Sequence, residues 1–81
     1  MPSWSTAKNK ITKDFLWKNF QQSIFFINSV SAPCLRAGII PSLHCYKNKV
    51  TVEIPTDDPE IKDSAIRLVT AEIDKIFETN T

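Results

Sequence analysis

Apolar and polar residues alternate through "KITKDFLW" (10–17): Ile11, Lys13, Phe15 and Trp17 fall on one side, Thr12, Asp14 and Leu16 on the other. A period of two, carried by β-branched and aromatic residues, predicts a strand. Before it, "SWS" (3–5) reads as a short edge strand and "TAKN" (6–9) as the connecting turn. After Lys18 the period lengthens. Phe20, Ile24, Ile27 and Cys34 recur at helical spacing, and Phe25, Phe26 and Val30 widen the stripe. Asn19 is placed to cap this helix and Gly38 to end it, where a left-handed residue is wanted. Pro33 lacks a backbone donor, so a kink or break is expected between 29 and 33.

"PSLHCYKNKVTVEIP" (41–55) returns to alternation. A two-residue loop at Lys47–Asn48 would pair Tyr46 with Lys49, Cys45 with Val50, His44 with Thr51 and Leu43 with Val52. That register puts the apolar residues on one face and the polar ones on the other, with Tyr46 as the amphipathic exception. A loop longer by a single residue would mix the faces. Asn48 is the loop residue suited to a positive φ. Ile66, Val69, Ile73, Ile76 and Phe77 then form the stripe of a long closing helix. Asp58-Pro59 and Asp63-Ser64 are both credible starts for it. The expected fold is α+β: a two-layer β(2)-α-β(2)-α domain over residues 1–81, with a four-stranded antiparallel sheet covered by two helices on one face.

A chain of 81 residues with 42% hydrophobic content is too apolar for disorder and small enough that a second copy would help its core. An uncovered edge strand points the same way, to a homodimer joined sheet edge to sheet edge. Net charge is +1, but residues 1–50 hold seven Lys/Arg against Asp14 alone, and residues 51–81 hold eight acids against three bases. Such a split suits self-association or an acidic protein partner. Lys8, Lys10, Lys13 and Lys18 are too few for a nucleic-acid footprint, so no nucleic acid is expected. No apolar run approaches the ~18 residues of a membrane span, and the first ten residues lack a signal-peptide core. A cytoplasmic protein without membrane contact is expected. Cys34 and Cys45 have no partner pair at zinc spacing, so no metal is expected and both read as buried free thiols. His44 falls by strand parity on the polar face, as a solvated or interface residue.

From Ile11 to Asp74, through "KDFLWKNF", "PSLHCYKNKVTVEIPT" and "AIRLVTAEID", the chain resembles the pterin-4a-carbinolamine dehydratase family, also called dimerization cofactors of a transcription factor. Trp4 roughly matches a family tryptophan, without the leading helix usual before it. The resemblance implies chemistry by a histidine pair directly before the hairpin proline and a third histidine closing the second strand. Carried across, those positions are Ile39, Ile40 and Asp57, and a family aspartate early in the last helix falls at Ile66.

Removing water from a carbinolamine needs groups that exchange protons near neutral pH, and imidazole, with a pKa of about 6.5, is suited to it. Isoleucine exchanges none, and an aspartate with a reference pKa near ~3.9 stays ionised. Losing positioned acid–base groups costs on the order of 10²–10⁴ in rate. The expectation is a non-enzyme with no cofactor, its former cleft (Ile39, Ile40, Asp57, His44 and Tyr46) free to bind a partner. Ile39 and Ile40 could form an exposed apolar patch or cover the end of the helix–sheet core. The branch it looks most similar to is the non-catalytic pterin dehydratase-like RuBisCO assembly factors of the α-carboxysome. That likeness implies RuBisCO subunits as client and a bacterial cytoplasmic, carboxysome-associated location. The alternatives are a residual dehydratase using Asp57, His44 or Tyr46, and a dimeric adaptor for a transcription factor.

Overall fold

The hairpin register organises the structure, a computed structural model that describes residues 4–81. Strands β3 (Ser42–Tyr46) and β4 (Lys49–Pro55) pair antiparallel as Tyr46 with Lys49, Cys45 with Val50, His44 with Thr51 and Leu43 with Val52, the even-loop register that the hydrophobic pattern selects. Strand β2 (Lys10–Leu16) pairs with the other edge of β4, setting Phe15 opposite Val50 and Ile11 opposite Ile54. Strand β1 (Ser5–Thr6) adds to the far edge of β2, so the sheet order is β1-β2-β4-β3. The first strand is therefore shorter than expected and shifted, and Ser3 lies outside the described residues.

Helix α1 (Phe20–Ala37) begins where expected: the Asn19 side chain accepts the Gln22 N–H at 2.9 Å. It ends at Gly38, whose φ of 71° turns the backbone so that its N–H and that of Ile39 reach the last carbonyls, those of Leu35 and Cys34. Pro33 does not interrupt the helix. Its ring is buried in the core, and the loss of one rung near the end leaves the rest of the ladder intact. The buried face is Ser23, Phe26, Val30, Pro33 and Cys34, of which Phe26, Val30 and Cys34 belong to the expected stripe, and Ile27 packs against the core beside them. Phe20 and Ile24, assigned to that stripe from sequence, are 56% and 39% exposed. Helix α2 (Asp63–Thr79) starts at the second candidate; the Asp58 carboxylate instead accepts the Glu60 N–H at 2.9 Å and closes a turn. Ile66, Val69 and Ile73 are its buried residues, with Ile76 and Phe77 packed beside them.

Phe15, Trp17, Phe26 and Phe77 meet at the centre, with ring centroids 4.7 Å (Phe15–Phe26), 5.1 Å (Trp17–Phe26) and 5.0 Å (Trp17–Phe77) apart. Pairs in such tilted and edge geometries add ~0.5–1.5 kcal/mol each beyond the area they bury. Lys13 also faces this layer. Its ammonium is 2.7 Å from one oxygen of Asp74 on α2, and the Trp4 indole N–H donates to the other oxygen at 3.2 Å. A polar residue on the inner face is thus neutralised, and both β2 and the residue preceding β1 are tied to α2.

The two thiols differ, contrary to the expectation that both are buried. Cys34 is buried and Cys45 is exposed, because Cys45 lies on the edge strand β3 and the helices leave it uncovered. Burial, then the nearby Glu72 charge, push the Cys34 thiol above its ordinary value.

In the β3–β4 turn the positive φ falls on Lys47 (56°), not on Asn48. Asn48 serves as a clamp: its side-chain amide donates to the Trp17 carbonyl at 2.7 Å, and its own carbonyl accepts the Trp17 N–H at 2.8 Å. The end of β2 is fastened to the hairpin by these two bonds. Asn48→Ala keeps the backbone bond but leaves the Trp17 carbonyl unpaired, so a loss of about 1–3 kcal/mol in urea unfolding is expected; an unchanged midpoint would show that the clamp contributes nothing.

Candidate functional site

The open face of the sheet, opposite the helices, carries the polar members of each alternation. Because Thr12 and Ser42 both sit opposite Glu53, the Glu53 carboxylate stands between β2 and β3. Lys10 approaches one of its oxygens at 3.2 Å and His44 Nε2 the other at 3.5 Å. Further along, Thr51 Oγ1 donates to Asp14 at 2.7 Å across the same face.

At the Lys10 end, Asn9, Lys10, Ile40, Ser42, Glu53, Pro55 and Asp57 line a shallow depression of about 240 Å³. Ile40 and Asp57, two of the positions expected to share a cleft, do so. Ile39 does not: it is 1% exposed and belongs to the hydrophobic core, its N–H bonded to the Cys34 carbonyl at 2.9 Å. Ile40 is 84% exposed. The isoleucine pair is divided, then, between the two roles expected of it. The left-handed turn at Gly38 sends the first side chain inward and the extended residue after it outward.

His44 lies at the border of the depression through Glu53, on the polar face that parity gives it. Tyr46 is at the opposite end of β3, across from Lys49, with the Lys47 ammonium 5.3 Å from its ring. It takes no part in the depression, because a strand rises ~3.3 Å per residue and separates positions 42 and 46 by a full hairpin length. Lys10, Ser42, Glu53 and Asn9 were not identified from sequence. Pairing β2 with β4 in the hairpin's own parity would have found them, since Lys10 faces Pro55.

Electrostatically, the site is organised by Glu53. The hydrogen bond from Lys10 is the largest influence holding its carboxyl below the usual carboxylate range; desolvation opposes this, and the charges of Lys10 and His44 support it. A carboxylate held ionised beside the Lys10 ammonium, with His44 at its other oxygen, serves as an anchor. Ile40 and Pro55 beside it give an apolar surface with a charged rim. Among the described residues no three His, Cys, Asp or Glu side chains gather as a metal site would require, and no helix is long and apolar enough to cross a membrane.

The sequence profile of the family described as Pterin 4 alpha carbinolamine dehydratase matches residues 1–76. A protein of Picosynechococcus sp. named "Putative pterin-4-alpha-carbinolamine dehydratase" is 40% identical over 57 residues, which cover 70% of this chain and 62% of that protein. One of the same name from Sulfurisphaera tokodaii is 34% identical over 58 residues, 72% of this chain and 62% of its own length. The chain thus spans less than two thirds of the length of the curated relatives it matches. Among solved structures, the transcriptional coactivator/pterin dehydratase from Brucella melitensis superposes with a TM-score of 0.78 at 17% identity, over 91% of this chain and 81% of that one. At that identity the likeness establishes the shared fold.

The lowered Glu53 carboxyl fixes the sign of a pH effect. Because the group ionises more readily in the folded state, its contribution is present above the unfolded carboxylate range and is lost as pH falls through the folded value. Urea unfolding followed from neutral to acid pH should therefore give a flatter acid limb for Glu53→Gln than for the parent. Superimposable limbs would remove Glu53 from the account.

Proposed function

The chain belongs to the Pterin 4 alpha carbinolamine dehydratase family, and from that membership we propose that it is a non-catalytic member that assists RuBisCO subunits to fold or assemble, in a bacterial cytoplasm and in association with the carboxysome. The observation that carries this reading is the division of Ile39 and Ile40. Where the family resemblance implies an imidazole pair, one side chain is buried core and the other is the most exposed of the large apolar residues, at 84%. Neither can take or give a proton. Asp57, at the third position, stands exposed in the same depression. What the depression offers is contact: an apolar prominence rimmed by Lys10, Glu53 and Asp57.

A second reading rests on the His44–Glu53 pair. An imidazole with a carboxylate 3.5 Å from Nε2 is an acid–base arrangement, and the similar proteins are named for dehydration. It favours residual dehydratase activity over a transcription-factor adaptor, which is suggested by the name of the Brucella protein alone.

For quaternary structure we propose a homodimer. Among the described strands β3 pairs with β4 alone, and its outer edge runs for five residues with neither proline nor lysine to block pairing.

Co-expression with RuBisCO subunits should raise the yield of soluble holoenzyme. Ile40→Glu should abolish that gain without unfolding the protein, since so exposed a side chain contributes little to the core. An unchanged yield with the parent chain refutes the assembly role, and in the same preparations carbinolamine dehydration above the buffer rate, lost in His44→Ala, would establish the second reading. Sedimentation at micromolar concentration should give the mass of two chains; a strict monomer would overturn the dimer.

A further inference from the structure

At the end of β2 remote from Ile40, two clefts of about 380 and 400 Å³ meet along a shared wall of Leu16 and Phe77. Together they make one groove whose ends differ in chemistry. One end is acidic. Asp14, Asp74 and Glu78 line it against a single ammonium, that of Lys13, which Asp74 already holds at 2.7 Å. Glu78 has no ionic partner among the described residues. The other end is walled by Trp17, Gln22 and Asn80, with Lys18 beside them, so the acidic character is confined to the first end. Trp17 is 5% exposed, and its indole N–H is the one buried side-chain donor without a hydrogen-bond partner among the described residues.

A buried donor left unpaired costs the fold its full desolvation penalty, which an incoming acceptor would recover. Aromatic residues in desolvated pockets, ringed by weaker contacts, dominate binding between proteins. Leu16 adds to this: it is 64% exposed although it lies beside the aromatic core.

We propose that this groove docks an extended peptide segment of another protein, with a Lys or Arg at the acidic end, an aliphatic side chain on Leu16 and Phe77, and a carbonyl oxygen accepting the Trp17 N–H. Glu78 and Asp14, without an ionic partner among the described residues, select the cation, the apolar wall selects the aliphatic residue, and the orphaned donor selects the acceptor. Small ligands of the same polarity would satisfy the donor without reaching the acidic end, so a segment long enough to span both is the matching occupant. The site is separate from the Ile40 depression and does not rest on the function proposed for it.

The test uses the full chain, a short capped peptide of alternating lysine and leucine, and a control peptide of alternating glutamate and leucine. In heteronuclear NMR the lysine peptide should move the Trp17 indole resonance, assigned by its disappearance in Trp17→Phe, more than that of Trp4. Affinity should fall about tenfold in Glu78→Lys. That variant retains the helix, since a cation suits its carboxyl end. Ile40→Glu should bind as the parent does. The proposal is overturned if the lysine peptide leaves the Trp17 resonance in place, if the glutamate peptide binds equally, or if Glu78→Lys binds with parental affinity. It also fails if concentrating the protein alone moves the resonance, which would make the occupant a second copy of this chain.

Discussion

Everything in this molecule depends on the parity of β4, the one strand paired on both edges by long partners. Its alternation sends Val50, Val52 and Ile54 beneath the helices at full burial and leaves Thr51 and Glu53 on the open face. Turning β4 over by a single residue would bury the Glu53 carboxylate and expose Val50, Val52 and Ile54, a penalty far larger than the margin by which a domain of this size is stable. Register is therefore not adjustable. Both the aromatic centre and the Lys10–Glu53–His44 array follow from it as the two faces of a single constraint.

The division of the isoleucine pair is a second instance of backbone geometry assigning roles. Two identical side chains in sequence have opposite fates because the residue before them is the chain's single glycine, in the left-handed region at the end of α1. A residue with a Cβ would meet no neighbouring atom there, so the demand for glycine is one of φ alone. That turn makes Ile40 a prominence and Ile39 a plug for the end of the core.

Much of this architecture is legible in the sequence, since β4 and α2 are one-sidedly buried and their periods declare it. The hairpin register, the Asn19 cap and the Gly38 stop all follow from local rules that tertiary structure does not override. The face of α1 is only partly legible because the helix is apolar around much of its circumference: with Phe20, Ile24 and Phe25 as hydrophobic as Phe26 and Val30, composition cannot say where the buried stripe ends. The exposure of Cys45 is hidden from the sequence for a related reason, as parity reveals which face a residue occupies but not whether a helix extends far enough to cover it. The site was half legible. Ile40 and Asp57 were identifiable by position, whereas Glu53 and Lys10 come together only through the pairing of β2 with β4, which joins residues 43 apart along the chain.

The tie between Trp4 and Asp74 spans 70 positions, and that between Lys13 and the same carboxylate 61. Strand β2 also waits for β4, which is made only after α1 and β3. A nascent chain emerging from the ribosome can thus form α1 and the β3–β4 hairpin early, but its aromatic centre cannot close until Phe77 has been released. Closure of the aromatic centre is accordingly a late, non-local step of folding, slower to form than the local contacts of α1 and the hairpin.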